Sequence, residues 1–178
     1  LGCVFRPPRY KWATKELRMS DNRIEKHIFL KAPLDRVWNA LTDSRQFGIW
    51  FGMALDGPFV AGQPVTGCIR PTQVDAEVAK AQAPYDGFPV TLMIDRIEPK
   101  TLFSMRWHPY AIDRDVDYSG EPMTLVAFTL KETGEGVELT VTETGFEHIP
   151  AHRRAEALKA NDGGWAKQME LIAAYVHG

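Results

Sequence analysis

The sequence predicts an α+β fold in which an antiparallel sheet is packed on one side by helices. Three observations predict it. One alternating segment is followed at once by two short helical patterns, a run of further alternating segments is joined by hairpin-length turns, and the chain closes on a long helical pattern with one apolar stripe. Strands segregated from helices in this way indicate α+β rather than a doubly wound sheet, and hairpin-length connections favour antiparallel pairing.

Each element has a local reason. Arg23 to Lys31 alternates Ile24, Lys26, Ile28 and Leu30 with Glu25, His27, Phe29 and Lys31, the pattern of a half-buried strand. Pro33 ends it and opens a helix at its first position. That helix runs to Leu41, with Leu34, Val37, Trp38 and Leu41 spaced as one inward stripe. Asp43 or Thr42 caps a second short helix through Trp50. Gly52, Gly57-Pro58 and Gly62 break the next stretch into loops and short strands, before a strand at Val65 to Arg70. Pro71 to Pro89 carries little periodicity and reads as a flexible excursion ending in the turn Pro84-Tyr85-Asp86-Gly87. Val90 to Ile97 and Thr101 to His108 form a hairpin pair, followed by a loop from Pro109 to Pro122. Met123 to Lys131 and Val137 to Phe146 flank the turn Gly134-Glu135-Gly136. A helix from Pro150 to Val176 closes the chain, with Trp165, Met169, Ile172 and Val176 on one stripe.

The 178 residues, 44% hydrophobic and 25% charged, describe one soluble domain. Its formal charge of −2 is unevenly spread. Residues 1–18 hold five basic side chains and one acid, a net of +4, and are expected to be a basic N-terminal extension, flexible or not native. The domain expected from residue 19 to 178 then carries −6, which argues against a nucleic-acid partner because each neutralised phosphate needs a Lys or Arg. Cys3 and Cys68 make neither a disulfide framework nor a thiolate zinc site, so a reducing, cytoplasmic location is expected. No apolar run approaches a membrane span.

Few residues point to chemistry. His148 and His152 are four apart but separated by Pro150 and lack an H-E-x-x-H pattern, and Asp113, Asp115 and Asp117 begin a calcium-loop spacing that fails at Tyr118 and Thr124. No metal or cofactor is expected. G-x-S-x-G, Walker and G-x-G-x-x-G patterns are absent. Glu143 stands out because it shares a strand face with Val137, Leu139 and Val141. A buried carboxylate is disfavoured in its charged form unless a cation or hydrogen-bond donors meet it. Glu143 is therefore a candidate general acid or base, or a polar anchor in a pocket; at an open strand end it would merely reach water. Gly163-Gly164, inside the terminal helix, costs roughly 1 kcal/mol per residue against alanine. The pair suggests a kink or a close approach of helix to sheet that sets Trp165 over the concave face, or else a simple helix break.

The blocks IEKHIFLKAPLDRVWNALTDSRQFGIWFG, IDRIEPKTLFSMRWHP, TLVAFTL, GVELTVTETGF and NDGGWAKQMELIAAYV, in that order, resemble the START-like superfamily, also called SRPBCC. Within it they are most similar to the activator of heat-shock-protein ATPase homologue branch, over Arg23 to His177. The resemblance implies a helix-grip fold: a curved antiparallel sheet around the long C-terminal helix, two short helices after the first strand, and a cavity between. Bacterial chains of this appearance often carry the label vanillate demethylase oxidoreductase subunit, but a ferredoxin-type reductase needs four clustered cysteines and this chain has two. Three kinds of function are implied: a carrier or sensor of a small apolar or aromatic molecule, a module that acts on a chaperone or other protein, and a cyclase- or hydrolase-like enzyme using Glu143. The first is favoured. Its expected ligand-binding residues are Trp50, Phe51, Met105, Trp107, Phe128, Glu143, Trp165 and Met169, set by the aromatic and methionine side chains that should face the cavity.

Overall fold

A computed structural model describes residues 22–178. The expectation for residues 1–18 lies outside the described residues.

Strand β1 (Arg23–Leu30) leads into helices α1 (Leu34–Thr42) and α2 (Ser44–Phe51), then strands β2 (Met53–Leu55) and β3 (Pro64–Ile69). Helix α3 (Ala76–Gln82) and a 3-10 turn at Ala83–Tyr85 come next. Strands β4 (Pro89–Glu98), β5 (Leu102–Trp107), β6 (Thr124–Glu132) and β7 (Val137–Thr144) precede helix α4 (Ala151–His177). The seven strands form one sheet in the order β1-β7-β6-β5-β4-β3-β2, antiparallel at every step. The first strand thus pairs with the last, Arg23 opposite Thr144 and Leu30 opposite Val137. A bulge between Ile94 and Arg96 interrupts the β4–β5 ladder, a device that bends a strand and increases its twist.

Local chemistry sets the helix ends. Pro33 is extended (φ −61°, ψ 146°) and flanks α1 rather than occupying its first turn. The Asp43 carboxylate accepts from the amides of Arg45 and Gln46 and so caps α2, whereas Thr42 donates its hydroxyl to the Trp38 carbonyl. Gly52 ends α2 with φ 101°, a left-handed conformation that only glycine adopts cheaply. Helix α3 is a departure from the expected flexible excursion. At seven residues it is too short for a periodic signal, and its marks are local: Asp75 caps the Val78 amide, and alanine-rich sequence follows. It adds a third helix before the main run of strands.

The core lies between the sheet and helices α1, α2 and α4. On one sheet face Phe103, Met105, Val126, Phe128, Leu139 and Val141 are fully buried, as the period of two requires. Trp165, Met169, Ile172 and Val176 bury the expected stripe of α4 against them. The far end of α4 is tied to α1, since the Arg36 guanidinium donates to the carbonyls of Val176 (2.7 Å) and Tyr175 (2.9 Å) and satisfies acceptors that every helix C-terminus leaves open. Among the described residues, no helix is long and apolar enough to cross a membrane.

Candidate functional site

Glu143 organises the centre of the molecule. It sits on β7 opposite Val126 of β6 and Ile24 of β1, and it is fully buried. Among the described residues no cation neutralises it; four neutral donors converge on it instead. Its Oε1 accepts from the Trp107 indole N–H (2.8 Å), the Thr124 hydroxyl (2.6 Å) and the Asn161 amide (3.1 Å). Its Oε2 accepts from the Trp165 indole N–H (2.6 Å) and again from Asn161 (3.0 Å). Hydrogen bonds of this kind are the condition under which a carboxylate can be buried without a counter-ion. The donors come from three elements, so Glu143 fastens β5, β6 and α4 to β7.

Its effect on the neighbouring space follows. An indole has one polar atom, and in Trp107 and Trp165 that atom is turned to Glu143. The rings therefore contribute carbon surface to a cavity of about 260 Å³ beside them. Phe51 completes an aromatic triangle, with centroids 5.9 Å from Trp107, 5.9 Å from Trp165, and 5.7 Å between the two indoles. Met53, Ile69 and Val90 add apolar wall from β2, β3 and β4, and Phe88 adds more from just before β4. Helix α4 supplies Asn161, Gly164, Trp165 and Gln168, one face of a helix by their spacing of three, four and seven. The remaining wall comes from Gln82 and Tyr85 and, on the opposite rim, from His108, Tyr110 and Ile112. An engineered apolar cavity of about 150 Å³ holds a benzene ring, so this space suits a molecule of one or two rings.

The loop from Pro109 to Met123 covers that rim and also walls an adjoining space of about 650 Å³, which shares Met53, Phe88, Trp107 and His108 with the first. Arg153, in the first turn of α4, clamps both ends of the loop: it donates to the Pro109 carbonyl (2.8 Å) and to the Glu121 carboxylate (2.8 Å). Its guanidinium also stands 4.9 Å from the Tyr118 ring centroid. His108 donates from Nε2 to the Glu121 carbonyl (3.0 Å), and Arg114 lies 5.1 Å from the Phe88 ring centroid. Tyr110 holds φ at 51°, a strained value for a bulky residue, and it does so on the cavity wall.

The expected site residues separate into two groups. Phe51, Trp107 and Trp165 line the cavity. Trp50, Met105, Phe128 and Met169 lie in the core behind it, with the Trp50 indole donating to the Ala40 carbonyl (2.8 Å). Glu143 stands behind the wall, not in it. The Gly163-Gly164 reading needs correction: α4 runs unbroken through both glycines, and a Cβ at either position would meet no atom within 4 Å, so no close approach requires them. Gly164 instead leaves open space beside the cavity. Asn161, Gln168, Tyr110 and Met53 escaped the sequence reading. Two of them carry a sequence signal, since Asn161 and Gln168 share a helical face with Trp165, but the apolar stripe through Met169 is the stronger pattern and masks it.

Comparison with known proteins is consistent with this geometry. A search of curated protein sequences returned no match. DynU16, a protein in the dynemicin biosynthetic locus, superposes with a TM-score of 0.61 at 23% identity; the match covers 88% of this chain but 48% of DynU16, so the chain spans about half that protein's length. Protein MLL2253 from Mesorhizobium loti (TM-score 0.62, 21% identity, 87% of this chain and 96% of that one) and protein CV1439 from Chromobacterium violaceum (0.63, 19%, 88% and 98%) share the fold over nearly their whole length. At these identities the likeness is one of fold, the sheet-around-helix architecture expected of the helix grip. The family model described as Activator of Hsp90 ATPase homolog 1-like protein matches residues 31–177, from the end of β1 to the end of α4, and the chain belongs to that family.

Proposed function

We propose that this domain binds a small hydrophobic or aromatic molecule in the cavity between the sheet and α4. The observation that carries the reading is the aromatic triangle of Phe51, Trp107 and Trp165, whose polar edges are withdrawn to Glu143 while a space of about 260 Å³ stays open beside it. Dedicated pockets have this character, mostly apolar walls with a few placed polar groups. A catalytic role for Glu143 gains no support, because a general acid or base must come within hydrogen-bond reach of its substrate and both oxygens of this carboxylate are occupied behind the wall. A docking role gains less from the structure than the cavity does: among the described residues the large exposed apolar side chains, Phe29, Val60, Tyr85 and Val116, are dispersed over β1, the β2–β3 loop, the 3-10 turn and the loop after β5.

Native mass spectrometry of protein purified from its source, with melting curves in the presence of one- and two-ring aromatics, tests the proposal. A ligand at a hundred times its Kd adds about 2.7 kcal/mol, roughly 5–10 °C in Tm for a domain of this size. A bare mass together with unmoved melting curves would refute it.

A further inference from the structure

The sheet has an unpaired edge inside it. Strand β4 starts at Pro89 and is paired with β3 from that residue onward, but its pairing with β5 stops at Met93, opposite Arg106. The bonds that β4 makes fix the direction of its peptide groups. Ile94 donates to the Gln63 carbonyl and accepts from the Gly62 amide, both on the β3 side, and the Phe88 carbonyl accepts from Ile69 of β3 (2.8 Å). Because these directions alternate along a strand, Val90 and Leu92 also point to β3, while Pro89, Thr91 and Met93 point the other way. Met93 meets β5 there. Thr91 does not, since β5 ends at Trp107; among the described residues its N–H and C=O and the Pro89 C=O have no protein partner.

This edge borders the outer space of about 650 Å³, which Pro89, Val90, Thr91 and Leu92 all line. The side chains of Val90 and Leu92 belong to the inner face with buried Ile94, and those of Pro89 and Thr91 to the opposite face. A space that touches all four runs along the edge between the faces, where the Thr91 amide and carbonyl point. Phe88, Val90 and Trp107 also line the aromatic cavity, so the two spaces adjoin. In an antiparallel ladder, a residue with a free N–H and C=O pairs with the C=O and N–H of one opposing residue, a unit that a bare ring lacks. A guest residue opposite Thr91 places the next side chain opposite Val90, on the inner face beside the cavity.

We propose that the guest is peptide-like: an extended acyl-amino-acid segment in which one residue pairs with Thr91 and the next carries an aromatic ring into the cavity of Phe51, Trp107 and Trp165. The inference rests on the cavity being a ligand site and specifies the class of guest. Asp113, Arg114 and Asp117 give the outer space charges of both signs, so the probes are neutral and capped.

N-acetyl-glycyl-tryptophan N-methylamide and 3-methylindole present the same ring with and without the pairing unit. In NMR titrations of the full chain, the peptide should bind at least about tenfold more tightly than 3-methylindole. Methylating the glycine nitrogen, which faces Thr91, should remove about tenfold, and methylating the tryptophan nitrogen, which faces away from β4, less than about threefold. The Thr91 amide should exchange freely in the free chain and at least about tenfold more slowly at saturation. Thr91→Pro deletes an N–H that bonds to nothing in the fold, so it should weaken the peptide about tenfold and leave 3-methylindole unchanged. Equal binding of peptide and ring, or equal losses from the two methylations, overturns the pairing and leaves the ligand site standing. A Thr91 amide already protected in the free chain means that another segment or a second copy holds the edge, and overturns it too. A folded Thr91→Pro that binds the peptide like wild type overturns the assignment to Thr91. Absence of binding by both probes overturns the ligand-site reading and this inference with it. Should Thr91→Pro fail to fold, the methylation series and the Thr91 exchange decide.

Discussion

Glu143→Gln changes one oxygen to an amide nitrogen at nearly constant volume, and the structure sets what it should cost. The amide can keep its oxygen toward Trp107 and Thr124, which places NH₂ where Oε2 now accepts from Trp165 and Asn161. Two donor groups then face a donor. Trp165 is 2% exposed, so its N–H finds no water in compensation, whereas Asn161 is half-buried and can turn toward solvent. An orphaned buried donor costs about 1–3 kcal/mol, and loss of the charge from the surviving bonds adds a share of the 1.5–3 kcal/mol typical of a charged hydrogen bond, for a total of about 2–4 kcal/mol. Against the 5–15 kcal/mol that holds an ordinary domain, this is a large fraction. In melting temperature it corresponds to a fall of roughly 5–15 °C. Urea unfolding followed by tryptophan fluorescence should show a lower midpoint at an unchanged slope. A Glu143→Gln protein within 0.5 kcal/mol of wild type would refute the reasoning, since the carboxylate could not then be fastening three elements. A purely catalytic Glu143 requires that opposite result.

Other perturbations separate stability from binding. Gly163→Ala and Gly164→Ala should each stabilise by about 1 kcal/mol in urea unfolding, because helix propensity favours alanine and the new methyl meets open space; only Gly164→Ala, on the cavity wall, should also weaken a bound ring, and a loss of stability in either would contradict the open space. Arg153→Met leaves Glu121 and the Pro109 carbonyl without their partner and should cost about 3 kcal/mol, with faster hydrogen exchange concentrated in residues 109–122; uniform exchange would show that the loop is not clamped there. The Ser119 hydroxyl and amide hold Asp117 below the usual carboxylate range. Because its folded value is the lower one, the stabilisation is complete above the unfolded value and is lost as pH falls through the folded one. Exchange at Ser119 should therefore quicken only in acid, and Asp117→Asn should abolish that dependence; an acid-insensitive wild type would count against the bond.

The legible part of the molecule is the part governed by near neighbours in the chain. Alternation fixed the buried faces of Phe103 and Met105, of Val126 and Phe128, and of Leu139, Val141 and Glu143, because the pleat gives every strand the same period. Asp43 announced its helix because a cap acts within three residues. Helix α3 is illegible for the converse reason: seven residues give no period, and Gln82, which anchors it, finds partners at Thr72 and Phe51.

By itself the sequence determined the α+β class, the order of strands and long helix, and the anomaly of a carboxylate on an apolar strand face. Tertiary structure alone decided what that carboxylate is for. Its donors lie 18 to 36 residues away, on β6, α4 and β5, and nothing in local periodicity says that they meet at one point or which way their polar edges turn. The same holds for the cavity. Phe51 and Trp165 became wall while Trp50 and Met169 became core, because the side of a ring that stays open depends on what the opposite layer fails to fill.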